Sequence, residues 1–556
     1  MMSKQCSSLK RDEILAALQN EEFDVLVIGG GITGAGIALD ASSRGMKTAL
    51  VEMQDFAAGT SSRSSKMIHG GLRYLKNYEV KLVSQVGKER AIVYENGPHI
   101  TTPERMILPI YKDAEYGMFM TSIGLRVYDF LAGVKKEERK SMLNKNKTLQ
   151  MEPKFKREGL LGGGFFVEYR SDDARLTIEV MKEAVSQGAT VINYTKVSDF
   201  IYEDGKVTGV QTIDQLNGKL SEIRAKKIIN AAGPWVDTLR EKDHSISEKH
   251  LQLSKGIHLV FDQSVFPLKQ AVYFDTPDGR MILIIPRDGK TYVGTTDTAY
   301  KGDLTHPRMT VSDRDYIINT IKFIFPELKI QASDIESSWA GIRPLIHEVG
   351  KSQSKISRKD EIWESASGLI TIAGGKLTGY RKMAETIVDL IASQLQQDTG
   401  STFFPCKTKH MPISGGHVGG SKKFQTFMEK KVTQGIELGL NKERAHSLVR
   451  KYGSNIDSIY DLIQNSGQEA EAFDLPADIY AQVLYSITDE LVYTPVDFFV
   501  RRTGTLLFDI EWVNKWKAPI IEMLSKTLSW SSEQKEAFSI ELEKHLHDAT
   551  VPLDVE

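Results

Sequence analysis

Glycine occupies positions 29, 31 and 34 of the run Phe23-Asp24-Val25-Leu26-Val27-Ile28-Gly29-Gly30-Gly31-Ile32-Thr33-Gly34, and Glu52 ends the next apolar run, Lys47-Thr48-Ala49-Leu50-Val51. This spacing supports the holding of a pyrophosphate and a ribose. Gly29 permits a tight turn, Gly31 lets a phosphate approach unpaired N–H groups at a helix N-terminus, and Gly34 allows close helix–strand packing. Glu52 stands where it accepts hydrogen bonds from a ribose. The elements that must position these residues are legible around them. Residues 25–28 form a short β-branched apolar run, as a buried parallel strand requires, and 32–44 carry the small and apolar residues of a helix packed on a sheet.

The next segment, Gly59-Thr60-Ser61-Ser62-Arg63-Ser64-Ser65-Lys66-Met67-Ile68-His69-Gly70-Gly71-Leu72-Arg73-Tyr74, is rich in hydroxyls and glycines. Such a backbone suits a long polar ligand, since Ser and Thr donate to phosphate and glycines allow close approach. Placed directly after the ribose-binding acid, it fits an extended flavin dinucleotide better than a nicotinamide one.

This segment resembles the flavin-proximal motif of FAD-dependent glycerol-3-phosphate dehydrogenases, within the D-amino-acid-oxidase-like superfamily. Asn230-Ala231-Ala232-Gly233-Pro234-Trp235, Lys255-Gly256-Ile257-His258, Gly294-Thr295-Thr296-Asp297, Ala340-Gly341-Ile342-Arg343-Pro344-Leu345 and Gly374-Gly375-Lys376-Leu377-Thr378-Gly379-Tyr380-Arg381 extend the likeness to about residue 395. Thr494-Pro495-Val496-Asp497-Phe498-Phe499-Val500-Arg501-Arg502-Thr503 carries it into the tail. The resemblance implies α/β plus α+β architecture: a Rossmann-like FAD domain, an inserted antiparallel-sheet substrate domain and a C-terminal all-α domain. We expect an N-terminal helical extension over 1–22 and a discontinuous FAD domain over 23–98, 171–254 and 330–395. The substrate domain is expected over 99–170 and 255–329, a linker over 396–421 and the helical domain over 422–556.

The resemblance also implies roles. FAD contacts are expected from Gly29, Gly31, Gly34, Glu52, Thr60, Ser61, Ser62, Ser65, Lys66, Ile68, Val197, Gly233, Gly375, Lys376, Leu377 and Thr378. Oxidising a secondary alcohol needs a base for the hydroxyl proton, and His258 is the preferred candidate with His69 its rival. A phosphomonoester needs converging cations, for which Arg73, Arg343 and Lys376 stand in glycine-flanked motifs beside Tyr74. Arg343 is also placed to stabilise a developing alkoxide, and the 374–378 junction to stabilise charge on reduced flavin. The expected reaction is oxidation of sn-glycerol 3-phosphate to dihydroxyacetone phosphate, with electrons passed to a respiratory quinone. A glycerophosphate oxidase releasing hydrogen peroxide is the alternative, and a flavin-binding sensor or assembly protein is the non-enzyme one.

The 556 residues are too many for one ordinary core, and a net charge of −2 leaves no nucleic-acid footprint. Two cysteines, Cys6 and Cys406, are too few for a zinc site, a disulfide scaffold or an iron–sulfur cluster, so no metal is expected. Residues 1–20 lack an apolar signal core and no window is apolar enough to span a bilayer, which predicts a cytoplasmic chain. Residues 118–131 are apolar and are followed by Lys135, Lys136, Arg139, Lys140, Lys145 and Lys147. That pairing suits peripheral contact with an anionic membrane face, and equally a core helix followed by a solvated loop. A homodimer is left open.

Overall fold

The computed structural model describes residues 6–69, 80–113, 117–131, 138–348, 360–374 and 376–554. Arg73, Tyr74, Lys135, Lys136 and Gly375 lie outside the described residues. A first sheet holds five parallel strands in the order Ile370–Ala373, Leu220–Asn230, Glu22–Ile28, Thr48–Val51 and Thr190–Ile192. Val25, Leu26 and Val27 are wholly buried at its centre, which is why their run is continuously apolar rather than alternating. Helices Ile32–Ser43, Asp173–Ser186 and Tyr380–Thr399 pack together and share its core. The hairpin Thr195–Glu203 and Lys206–Asp214 turns through Asp204 and Gly205, both at positive φ, and extends the sheet antiparallel to Leu220–Asn230.

The second sheet has ten strands, with Lys249–Asp262, Lys290–Gly294, Met281–Arg287, Ala271–Asp275, Thr101–Tyr111 and Leu160–Ser171 in succession. It is antiparallel except where Ala271–Asp275 runs parallel to Thr101–Tyr111, a departure from the purely antiparallel expectation. Strand Ile335–Glu348, assigned above to the FAD domain, pairs along its length with Lys249–Asp262 and belongs to this sheet. Lys249–Ser254, at the start of that partner, moves with it. A strand carries no mark of which sheet it joins, because pairing partners are set by tertiary geometry.

Alternate residues of Lys249–Asp262 face opposite layers. Ile257 and Leu259 pack on helix Val311–Ile324, whereas Val260 packs on the C-terminal helices through Trp339, Phe498 and Phe499. Those helices include Ser421–Glu437, Lys442–Tyr452, Ala477–Asp489, Ile510–Thr527 and Ser532–Thr550. One local expectation is corrected. Residues 396–399, expected in a linker, continue helix Tyr380–Thr399, because buried Leu395 anchors the last turn and the stop comes at Gly400, φ 72°. Residues Asp497–Arg502 form a π-helix, followed by a break at Gly504, φ 72°. It carries Arg501 and Arg502, which pair with Asp55 of the first-sheet body at 2.5 and 2.7 Å.

Candidate functional site

The C-terminal ends of the first sheet's strands border a cavity of about 490 Å³. At one end lies the 29–34 turn. Gly29 takes φ 116°, and a Cβ there would stand 2.6 Å from the Ala231 carbonyl oxygen; a Cβ on Gly34 would fall 1.9 Å from the Gly29 carbonyl oxygen. Neither position tolerates another residue without movement. Glu52 accepts from the Gly30 and Gln54 N–H groups at 2.6 and 2.8 Å, and burial raises its pKa against those bonds. Ser61 Oγ accepts from the Ile32 N–H at 2.9 Å, at the start of helix Ile32–Ser43. From there the cavity passes Val197 and Trp235 to Lys376 and Leu377, where Gly379 and the helix Tyr380–Thr399 begin a second strand-to-helix junction. An elongated polar ligand with an anionic centre fits these walls, and FAD has that shape and charge.

Beside this cavity, two facing glycines shape the second sheet. Gly256 pairs with Gly341, His258 with Trp339 and with Gly294. A Cβ on Gly256 would lie 2.2 Å from an Arg343 guanidinium nitrogen, and one on Gly294 would lie 2.1 Å from the His258 ring. The bare positions therefore make room for both side chains on one face. Arg343 donates to Thr295 Oγ1 at 2.9 Å and to the Thr296 carbonyl at 3.2 Å, lies 3.6 Å from Asp297, and keeps its side chain 29 % exposed. His258 is buried, stacks on Trp339 at 4.6 Å and meets Ser65 Oγ through Nε2 at 2.9 Å. Burial, reinforced by the charges of Arg343 and Lys66, holds its pKa well below the usual imidazole range. His69, whose pKa burial also lowers, is tied through its backbone to Thr378.

A family model described as FAD dependent oxidoreductase matches residues 24–381, and one described as C-terminal domain of alpha-glycerophosphate oxidase matches 406–535. The chain is 63% identical over 554 residues to an aerobic glycerol-3-phosphate dehydrogenase of Bacillus subtilis, covering 100% of both chains. It belongs to that family of FAD-dependent dehydrogenases. The corresponding enzyme of Staphylococcus haemolyticus is 57% identical over 98% of each chain. The flavoprotein also superposes on a solved glycerol-3-phosphate dehydrogenase from Bacillus halodurans complexed with FAD, at TM-score 0.86 and 50% identity, covering 99% of this chain and 100% of that one.

Within the flavoprotein, the expected contacts Gly29, Gly31, Glu52, Thr60, Ser61, Val197, Gly233, Lys376 and Leu377 line the cavity together. Six others do not. Gly34 acts through helix packing, Ile68 is buried in the core, and Thr378 bonds the backbone of His69. Ser62 offers its carbonyl to Lys66, and Ser65 bonds His258. Lys66 holds its buried ammonium against Asp173 at 2.6 Å. Sequence reasoning missed Trp235 in the cavity wall, Trp339 beneath His258 and Thr295 beside Arg343. For Thr295 the signal was present in the noted Gly-Thr-Thr-Asp run; nothing in the sequence singles out Trp339.

Proposed function

We propose that the flavoprotein oxidises sn-glycerol 3-phosphate to dihydroxyacetone phosphate and delivers the electrons to a quinone in the membrane. The observation that carries the substrate is the half-buried guanidinium of Arg343 over Gly256, on the same face as His258 and beside the cavity that Lys376 lines. The relatives' names point to the same substrate. Bound FAD supplies a two-electron acceptor for the hydride leaving C2 of the substrate. Arg343 and Lys376 bind the phosphate or the developing alkoxide, and Arg73 and Tyr74 are assigned to the same pocket by motif alone. His258 takes the hydroxyl proton as the ketone forms, held in orientation by Ser65 and Trp339. The division into FAD, substrate and helical domains is kept with strand Ile335–Glu348 moved to the substrate part. Anaerobic glycerol 3-phosphate should bleach the flavin, and reoxidation should be faster with a quinone analogue than with oxygen. No bleaching would end the substrate reading, and rapid peroxide formation would replace the quinone by oxygen.

The membrane half of the proposal rests on helix Met118–Leu131. Leu125 and Tyr128 are buried beneath it, while Phe119, Met120, Ile123 and Val127 project to solvent on one face, Phe119 at 76 % exposure. An apolar stripe at this spacing, followed by exposed Arg139, Lys145 and Lys147, suits insertion at the headgroup level. Among the described residues no helix is long and apolar enough to cross a membrane. The variant Phe119→Ser/Ile123→Ser should lose co-sedimentation with anionic vesicles and quinone-dependent turnover, yet reduce a soluble dye at the parental rate. Salt that shortens the Debye length below about 10 Å should weaken parental binding. Equal vesicle binding by parent and variant would leave the stripe without this role.

A further inference from the structure

A second cavity, of about 740 Å³, lies between the helical domain and the body that carries the two sheets. Seven lysine and arginine side chains line it against four carboxylates. The excess is not spread evenly. Arg287 pairs with Asp172 at 3.2 Å, Arg170 with Glu104 at 3.4 Å, and Arg444 bonds Asp478. Arg450 and Lys451, at the end of helix Lys442–Tyr452, have no ion-pair or hydrogen-bond partner among the described residues. Burial and the neighbouring cations lower the pKa of both, Lys451 to about 7. The wall also contains His99, 2 % exposed, with neither ring nitrogen hydrogen-bonded among the described residues. Its ring is packed against Gly415, where a Cβ would stand 2.6 Å from Nε2. The His99 nitrogens are sealed against Gly415, so it is the charges of Arg450 and Lys451, neutralised by no ion-pair partner among the described residues, that an anion in this cavity would complete.

We propose that this interdomain cavity is a binding site for a small soluble phosphorylated anion, distinct from the flavin and substrate pockets. Guanidinium groups recognise phosphate oxygens through paired N–H donors, and here Arg450 and Lys451 come from the helical domain while Arg170 and Arg287 come from the sheet body. The hydroxyl of Ser447 stands at the same space, and the cavity's volume exceeds that of a bare phosphate. A phosphate ester of metabolite size is the class that fits. The wall is joined to the catalytic face by short steps. Asp172, which holds Arg287, is followed by Asp173; Asp173 holds Ser64 and Lys66, and Ser65 between them holds His258.

Pyridoxal 5′-phosphate is a suitable probe, because its phosphate seeks an anion site and its aldehyde condenses with a lysine of low pKa, losing water. Borohydride then reduces the imine to a stable amine. FAD-loaded enzyme labelled in excess glycerol 3-phosphate should carry the adduct mainly on Lys451 by peptide mapping, and inorganic pyrophosphate should suppress it. Arg450→Gln should lower that labelling about 10-fold or more with kcat/KM for glycerol 3-phosphate unchanged, which shows that the variant is folded. By calorimetry in excess glycerol 3-phosphate, Arg450→Gln/Lys451→Gln should weaken pyrophosphate binding by a similar factor. An unlabelled Lys451, labelling that pyrophosphate does not suppress, or pyrophosphate binding equal in parent and double variant would overturn the proposal.

Discussion

Arg343→Ala and Lys376→Ala are each expected to lower kcat/KM for glycerol 3-phosphate by about 30- to 1000-fold while leaving bound flavin largely intact, a loss on the order of 2 to 4 kcal/mol. Gly256 leaves a bare patch that the Arg343 guanidinium fills, with Thr295 and the Thr296 carbonyl fixing its plane, while the facing Gly341 makes room for the Arg63 backbone. A cation so held pre-exists in the orientation that an anion needs, so removal forfeits an interaction that strengthens as charge develops. His258→Asn extends the same test. A base must be neutral to act, and burial with the nearby Arg343 charge lowers the His258 pKa, so the acidic limb of the flavin-reduction profile should lie below the ordinary histidine value of about 6.5 and vanish in the variant. Parental kinetics in both alanine variants would make these residues surface cations, and an acidic limb surviving in His258→Asn would pass the role to His69 or to water.

What the sequence disclosed follows from which constraints are local. The 29–34 turn is legible because its requirements lie in its own backbone: a positive φ at Gly29 and a carbonyl 1.9 Å from the missing Cβ of Gly34 admit only glycine. The hairpin through Asp288 and Gly289, φ 51° and 83°, is legible for the same reason. The pairing of Gly256 with Gly341 is not, since 85 residues separate them and only register brings them together. The ion-pair partner of Lys66 is not legible either, since Asp173 starts a helix more than a hundred residues away. The apolar run 118–131 could be read as core or as membrane face. The fold covers Leu125 and Tyr128 and leaves Phe119 exposed, a split between the two sides of one helix that the apolar run itself does not reveal.

Asp55→Ala should destabilise the flavoprotein by about 3 to 5 kcal/mol, since removing one partner of a buried ion pair strands the others in low dielectric. The Asp55 carboxylate is wholly buried and takes bonds from Arg501 at 2.5 Å and Arg502 at 2.7 and 2.9 Å, with Asn193 also donating to it at 3.1 Å. Asp497 still pairs with Arg501, and the Glu490 carbonyl with Arg502, so the loss is partial for each guanidinium. The contacts join the loop after the second strand to the π-helix of the helical domain, and unfolding in urea should therefore show the helical domain parting earlier from the sheet body. Burial alone would raise the Asp55 pKa, but Arg502 and Arg501 outweigh it and hold the group at about 2. Because the folded value lies below the unfolded value of about 3.9, the contribution is complete above about pH 4 and is lost as pH falls toward about 2. Parent and variant should converge in stability across that interval. A gap that stays constant from about pH 6 to about pH 2.5 would mean that the cost of the substitution comes from the lost packing of the side chain and not from its charge.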